Sequence, residues 1–108
     1  MRLACAVLAL VLAGPATAET GIASWYGRES GHRTANGEPF PTAERTCAHR
    51  SVHFGTKLRV TDISTGRSIV CRVNDRGPFV AGRVIDLNPA SARALGMTGT
   101  ARVRLSIE

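Results

Sequence analysis

Residues 57–74 read KLRVTDISTGRSIVCRVN. From Lys57 to Asp62 apolar and polar side chains alternate, and the alternation resumes from Ser68 to Asn74 after Ser64, Thr65, Gly66 and Arg67. A period of two marks a half-buried strand, and a glycine-bearing turn between two such runs marks an antiparallel hairpin. Towards the N-terminus, Gly21 to Tyr26 reads as a strand entering a turn at Gly27. Towards the C-terminus, Arg83–Leu87 and Ala101–Ile107 read as two further strands. Between those two a helix is well signalled. Asn88 is a good N-cap, Pro89 suits the first helical position, 90–95 favours helix and Gly96 can close it. A second short turn of helix is expected within Thr42–His49. About six short strands, one or two short helices and many glycine turns describe a small barrel or sandwich.

The chain has 108 residues, room for one domain. Its start reads as something else. Met1 and Arg2 give a short positive region, Leu3–Leu12 is unbroken apolar sequence, and Ala16, Thr17 and Ala18 give a small-x-small cleavage site. Residues 1–18 are therefore expected to be a signal peptide and residues 19–108 the mature domain. The apolar run is too short for a permanent anchor, and Cys5 lies inside it rather than just after a cleavage site, so no lipid-attachment box is read. An exported protein of the periplasm or cell envelope, without a stable membrane anchor, is expected.

Removing residues 1–18 lowers the net charge from +6 to +5, carried by twelve arginines and Lys57 against eight acids. Such a balance suits nucleic acid, anionic lipid or a carboxylate-rich polymer. Export argues against nucleic acid, and the arginines are scattered as on a solvated surface. Cys47 and Cys71 remain as an even pair, which in an oxidising compartment reads as a disulfide. Two buried thiols or a metal site fit less well, because the cysteines lack paired zinc-ligand spacing. No metal or organic cofactor is expected.

Three clusters carry chemistry: 34–39 (TANGEP), 46–49 (TCAH), and 74–79 (NDRGPF) with 85–88 (IDLN) close behind. Asp75 leaves an apolar strand for a Gly-Pro turn, where a scaffold presents a reactive group; capping that turn explains it equally well. Asp86 points away from Ile85 and Leu87, and a structural role at the helix start is as good a reading as a functional one. Glu38, taken alone, is a surface carboxylate. His49 is a proton carrier or a structural histidine. Trp25 and Tyr26 suit core packing or stacking on a sugar ring.

Together these blocks resemble the rare lipoprotein A family. They are ASWYG at 23–27, TANGE at 34–38, AHR at 48–50, FGT at 54–56, NDRGPF at 74–79 and IDL at 85–87. They come in family order across essentially the whole of 19–108. The resemblance implies a mainly β fold, a six-stranded double-psi β-barrel with one or two short helices. It also implies a septal lytic transglycosylase acting on peptidoglycan glycan strands. Asp75, Glu38 and His49 then correspond to positions associated with activity, and Asp86 to an acidic position important in related barrels such as expansins. Asp75 is expected to be the acid/base, with Glu38 and His49 shaping its protonation and holding the sugar; the reverse assignment of the two carboxylates stays open. Trp25, Tyr26, Asn36, Asn74, Arg76 and Asp86 are expected to bind substrate.

Cleavage by such an enzyme uses the C6 hydroxyl of the muramic acid residue in place of water, leaving a 1,6-anhydro end. One carboxyl can give a proton to the leaving oxygen and take one from that hydroxyl. A cluster of Glu38, Asp75 and Asp86 would raise the pKa of such a group. Simple hydrolysis and non-catalytic, expansin-like loosening of wall polymers are the competing readings. Family members are typically lipoproteins and often carry a C-terminal peptidoglycan-binding repeat domain; neither is expected here. His53 stands where the family usually has proline. The Cys47/Cys71 pair replaces small or β-branched residues and would tie the His49 segment to the strand leading to Asp75.

Overall fold

The computed structural model describes residues 19–27, 31 and 33–108; the expected signal peptide, residues 1–18, lies outside them. The strands are β1 (Glu19–Trp25), β2 (Thr46–Ala48), β3 (Lys57–Asp62), β4 (Ser68–Asp75), β5 (Arg83–Leu87) and β6 (Ala101–Ile107), with helix α1 (Pro89–Leu95) between the last two. They close into a barrel in the order β1-β5-β2-β4-β3-β6. Two neighbouring pairs, β1 with β5 and β2 with β4, run parallel, and the other four pairs are antiparallel.

The expected hairpin is β3–β4, with Leu58 opposite Cys71 and Val60 opposite Ile69. Asp62 sets its turn: Oδ1 accepts from the backbone N–H groups of Ser64 (2.9 Å) and Thr65 (3.2 Å), an Asx turn that fixes the register. Alternation sends Leu58, Val60, Ile69, Cys71, Val73, Val103 and Leu105 inwards, where they meet Ile85 and Leu87 of β5. Each such side chain, fully buried, stabilises the fold by about 1.5–3 kcal/mol. Cys47 and Cys71 form a disulfide between β2 and β4, with Cα atoms 5.9 Å apart.

Helix α1 packs on β4, β2 and β5. It begins as the sequence indicates, with Asn88 Oδ1 accepting from Ser91 N at 2.9 Å. It ends at Gly96, whose left-handed φ of 83° lets its N–H return to the carbonyls of Ala92 and Arg93. The second helical turn expected within Thr42–His49 is not formed: 46–48 is strand β2, and 42–45 is irregular. Three residues are too few to show a period, and pairing with β4 and β5 on both sides decides their conformation. Among the described residues, no helix is long and apolar enough to cross a membrane.

Candidate active site

One rung across four strands builds the site. Ser24 of β1 lies beside Asp86 of β5, Asp86 beside Ala48 of β2, and Ala48 beside Asp75 of β4. Neighbouring strands stand about 4.8 Å apart, so the backbones of Asp75 and Asp86 are about 10 Å apart with Ala48 between them. Irregularities in both parallel pairs set this register. Between Cys47 and Ala48 the pairing passes from Val73 to Asp75, leaving Asn74 as the extra residue. Between Ile22 and Ala23 it passes from Arg83 to Ile85, leaving Val84 extra. Each bulge breaks the in–out alternation of its strand, burying two successive residues, and so re-aims the carboxylate beyond it.

Tyr26, Asp75, Arg76 and Asp86 line one open cleft of about 340 Å³. Asp75 Oδ1 accepts from the backbone N–H groups of Ala35 and Arg76, both at 2.9 Å. Asp86 Oδ1 accepts from the Ser24 hydroxyl. Tyr26 is anchored by its N–H to the Leu87 carbonyl at 3.0 Å. Its ring stacks on Phe40 with centroids 5.1 Å apart, and Ala48 completes that small buried cluster. The hydroxyl is buried and finds no hydrogen-bond partner among the described residues. Burial, and then the nearby carboxylates of Asp75 and Asp86, push the phenol pKa up, so this group remains a proton-bearing donor at neutral pH. Arg76 is a strut: Nη1 donates to the carbonyls of His49 (3.0 Å) and Val52 (2.8 Å), and its guanidinium lies 4.0 Å from the centre of the Phe54 ring.

The other expected site residues stand around this cleft. His49 is buried, and its Nδ1 accepts from the N–H groups of Ser51 (3.1 Å) and Val52 (3.2 Å). That assigns the ring proton of the neutral imidazole to Nε2, which donates to Glu19 Oε1 at 3.0 Å. Glu38 is held by the Arg72 guanidinium in a two-point pair (2.9 and 3.0 Å) and by Asn74 Nδ2 at 3.0 Å. Hydrogen bonds from Arg72, then from Asn74, hold its carboxyl at about 2, well below the usual carboxylate range. Arg72 also grips Glu44 at 2.7 and 2.8 Å. These three charges line a separate recess of about 330 Å³ with Pro39, Pro41 and Thr42.

The expected three-carboxylate cluster is therefore corrected to two. Asp75 and Asp86 share the cleft; Glu38 is drawn aside by Arg72 and has its pKa lowered instead of raising a neighbour's. Asn36 shapes the turn that carries Glu38: its Oδ1 accepts from the Thr34 hydroxyl and the Glu38 N–H, and its own N–H donates to the Asn74 carbonyl. Asn74 is fully buried beneath that turn. Trp25 is 45% exposed and, alternating with Ser24 and Tyr26, leaves β1 on the other side. Three participants escaped sequence reading: Ser24, Ala48 and Arg72. Ser24 and Ala48 fall within quoted blocks, but only the register gives them a role. Arg72, one of thirteen scattered arginines, carries no local signal. Among the described residues no three His, Cys, Asp or Glu side chains are grouped to hold a metal ion.

Residues 18–107 match the family model described as lytic transglycolase. The chain is 53% identical over 90 residues to a probable endolytic peptidoglycan transglycosylase RlpA of Synechocystis, covering 81% of this chain and 28% of that protein. It is 49% identical over 88 residues to the endolytic peptidoglycan transglycosylase RlpA of Pseudomonas aeruginosa, covering 79% of this chain and 26% of that one. The chain thus spans about a quarter of the length of these relatives. Among solved structures it resembles the apo form of an expansin from Clavibacter michiganensis, with TM-score 0.65, 22% identity, and 84% of this chain and 50% of that chain covered. A variant of the same expansin in complex with cellohexaose gives TM-score 0.64 at the same identity and coverage. At that identity the likeness concerns the double-psi barrel alone.

Proposed function

This chain belongs to the lytic transglycolase family, and on that premise we propose that it is an exported wall-active domain cleaving peptidoglycan glycan strands without water. Residues 1–18 would direct export and residues 19–108 would act in the periplasm or cell envelope. The observation that carries the reading is the cleft in which Asp75 and Asp86 stand on either side of Ala48, lined also by a Tyr26 whose hydroxyl has no partner among the described residues.

Asp75 is assigned as the acid/base. Protonated, it gives its proton to the glycosidic oxygen as the bond from the muramic acid C1 breaks; as carboxylate, it takes the proton of the C6 hydroxyl as that oxygen bonds to C1. Atoms balance: the products are a 1,6-anhydro end and a new free hydroxyl on the departing strand. Asp86, fixed by Ser24, supplies the second negative charge facing the oxocarbenium-like transition state. Glu38 and His49 act as positioning residues. Glu38 clamps the 34–38 turn whose Ala35 N–H holds Asp75, and His49 organises the 49–52 turn whose carbonyls hold Arg76.

Digesting purified sacculi and isolated glycan strands, then identifying the ends by mass spectrometry, tests this. Anhydro ends support the reading and reducing ends indicate hydrolysis. No product despite binding indicates a wall-loosening binder. Asp75→Asn should lower the rate by a factor of about 100 or more, as expected for loss of a general acid/base. Full activity in that variant overturns the assignment.

A further inference from the structure

We propose that the Tyr26 hydroxyl is a substrate-binding donor that holds the nucleophilic C6 hydroxyl of the reacting sugar between Asp75 and Asp86, favouring it over water. This rests on the transglycosylase reading above and names what selects its nucleophile.

The phenol is out of place on stability grounds. Tyr26 is only 9% exposed, its ring is packed on Phe40 and Ala48, and its hydroxyl meets no acceptor among the described residues. A buried polar group left unpaired costs free energy that phenylalanine at the same place would avoid. Two carboxylates line the same cleft, and the hydroxyl bonds to neither: Asp75 Oδ1 takes two backbone N–H groups and Asp86 Oδ1 takes the Ser24 hydroxyl, while each carboxylate keeps a second oxygen able to accept. The hydroxyl is thus kept for something that enters the cleft.

The chemistry of the cleft narrows the visitor. Two carboxylates beside the phenol repel an anionic group, so a lactyl or peptide carboxylate does not fit there. Arg76, the one cation lining the cleft among the described residues, already serves two carbonyls and the Phe54 ring. A carbonyl oxygen would satisfy the phenol and leave the carboxylates without a donor. A hydroxyl satisfies both at once, accepting from Tyr26 and donating to an aspartate. In the proposed reaction one sugar hydroxyl must give its proton to a carboxylate, and that is the group at C6. Fixing its oxygen by a hydrogen bond restricts it to an attack geometry that a mobile water would not share.

Tyr26→Phe keeps the ring stack and removes only the hydroxyl. On glycan strands it should lower the rate by about threefold to tenfold, the worth of one neutral hydrogen bond. The fraction of reducing ends among its products should rise at the expense of anhydro ends. Its melting temperature should equal or exceed that of the parent. A structural role for the hydroxyl would lower the melting temperature and leave the partition of products alone; that result overturns the inference. So does an unchanged rate with unchanged ends, while the parent's own anhydro ends keep the wider reading intact. If the parent itself yields no anhydro ends, the transglycosylase reading fails and this inference fails with it.

Discussion

Arg72 shows how one side chain redistributes the site's charges. It binds Glu38 and Glu44 together, and both carboxyls are held below their ordinary values, chiefly by its hydrogen bonds. The sign of the pH effect follows. The folded Glu38 carboxyl protonates near 2 and the unfolded one near 4.5, so between those values the unfolded chain binds more protons. The stabilisation is therefore complete above about 4.5 and is lost as the pH falls towards 2. Glu38 and Glu44 are partly exposed, so solvent screening keeps the size modest. In acid titrations of melting temperature, Arg72→Met should flatten the fall in stability over that window. An unaltered profile would show that the pair contributes nothing to acid stability. Glu38 illustrates what sequence could and could not give: its block signalled a site, but the partner that fixes its protonation lies 34 residues away.

At the scale of elements, Asn88 joins a helix start to a barrel strand. Its Oδ1 accepts from Ser91 N, as an N-cap does, and also from Thr46 N at 3.1 Å; its Nδ2 donates to the Glu44 carbonyl at 2.9 Å. An exposed cap is worth about 1 kcal/mol. Asn88 is fully buried, so Asn88→Ala also strands the buried N–H of Thr46 and removes the donor to the Glu44 carbonyl, and the total cost should reach roughly 2–4 kcal/mol. Chemical denaturation would measure it, and a loss of only a cap's worth would mean that water replaces the missing partners. The cap was legible because its pattern is local. The bond to Thr46 was not, for β2 shows no period of its own and exists only where β4 and β5 pair with it. The same blindness explains the helical turn expected over Thr42–His49. The two bulges were likewise hidden, although they aim the two carboxylates that line the cleft.

For the molecule as a whole, the Cys47–Cys71 disulfide fastens β2 to β4 directly behind the rung that bears Ala48 and Asp75. Its loop, with a sequence separation of 24, should contribute about 3–4 kcal/mol in the chain-entropy model. Reduction, or a Cys47→Ala/Cys71→Ala double variant, should lower the melting temperature by several degrees or more; an unchanged value would refute that contribution. Sequence by itself determined what depends on neighbours along the chain. These are the β3–β4 hairpin, the alternation that fills the core and the caps of α1; the cysteine pair was read instead from number and expected compartment. The quoted blocks also carried the family resemblance, and with it the barrel. Tertiary structure alone decided which carboxylates face one another. Strand order β5-β2-β4 sets Asp86 and Asp75 on either side of Ala48, while an arginine on β4 turns Glu38 away. The physical reason is range: propensity and period act over a few residues, whereas charge, burial and hydrogen bonding at the cleft join groups tens of residues apart.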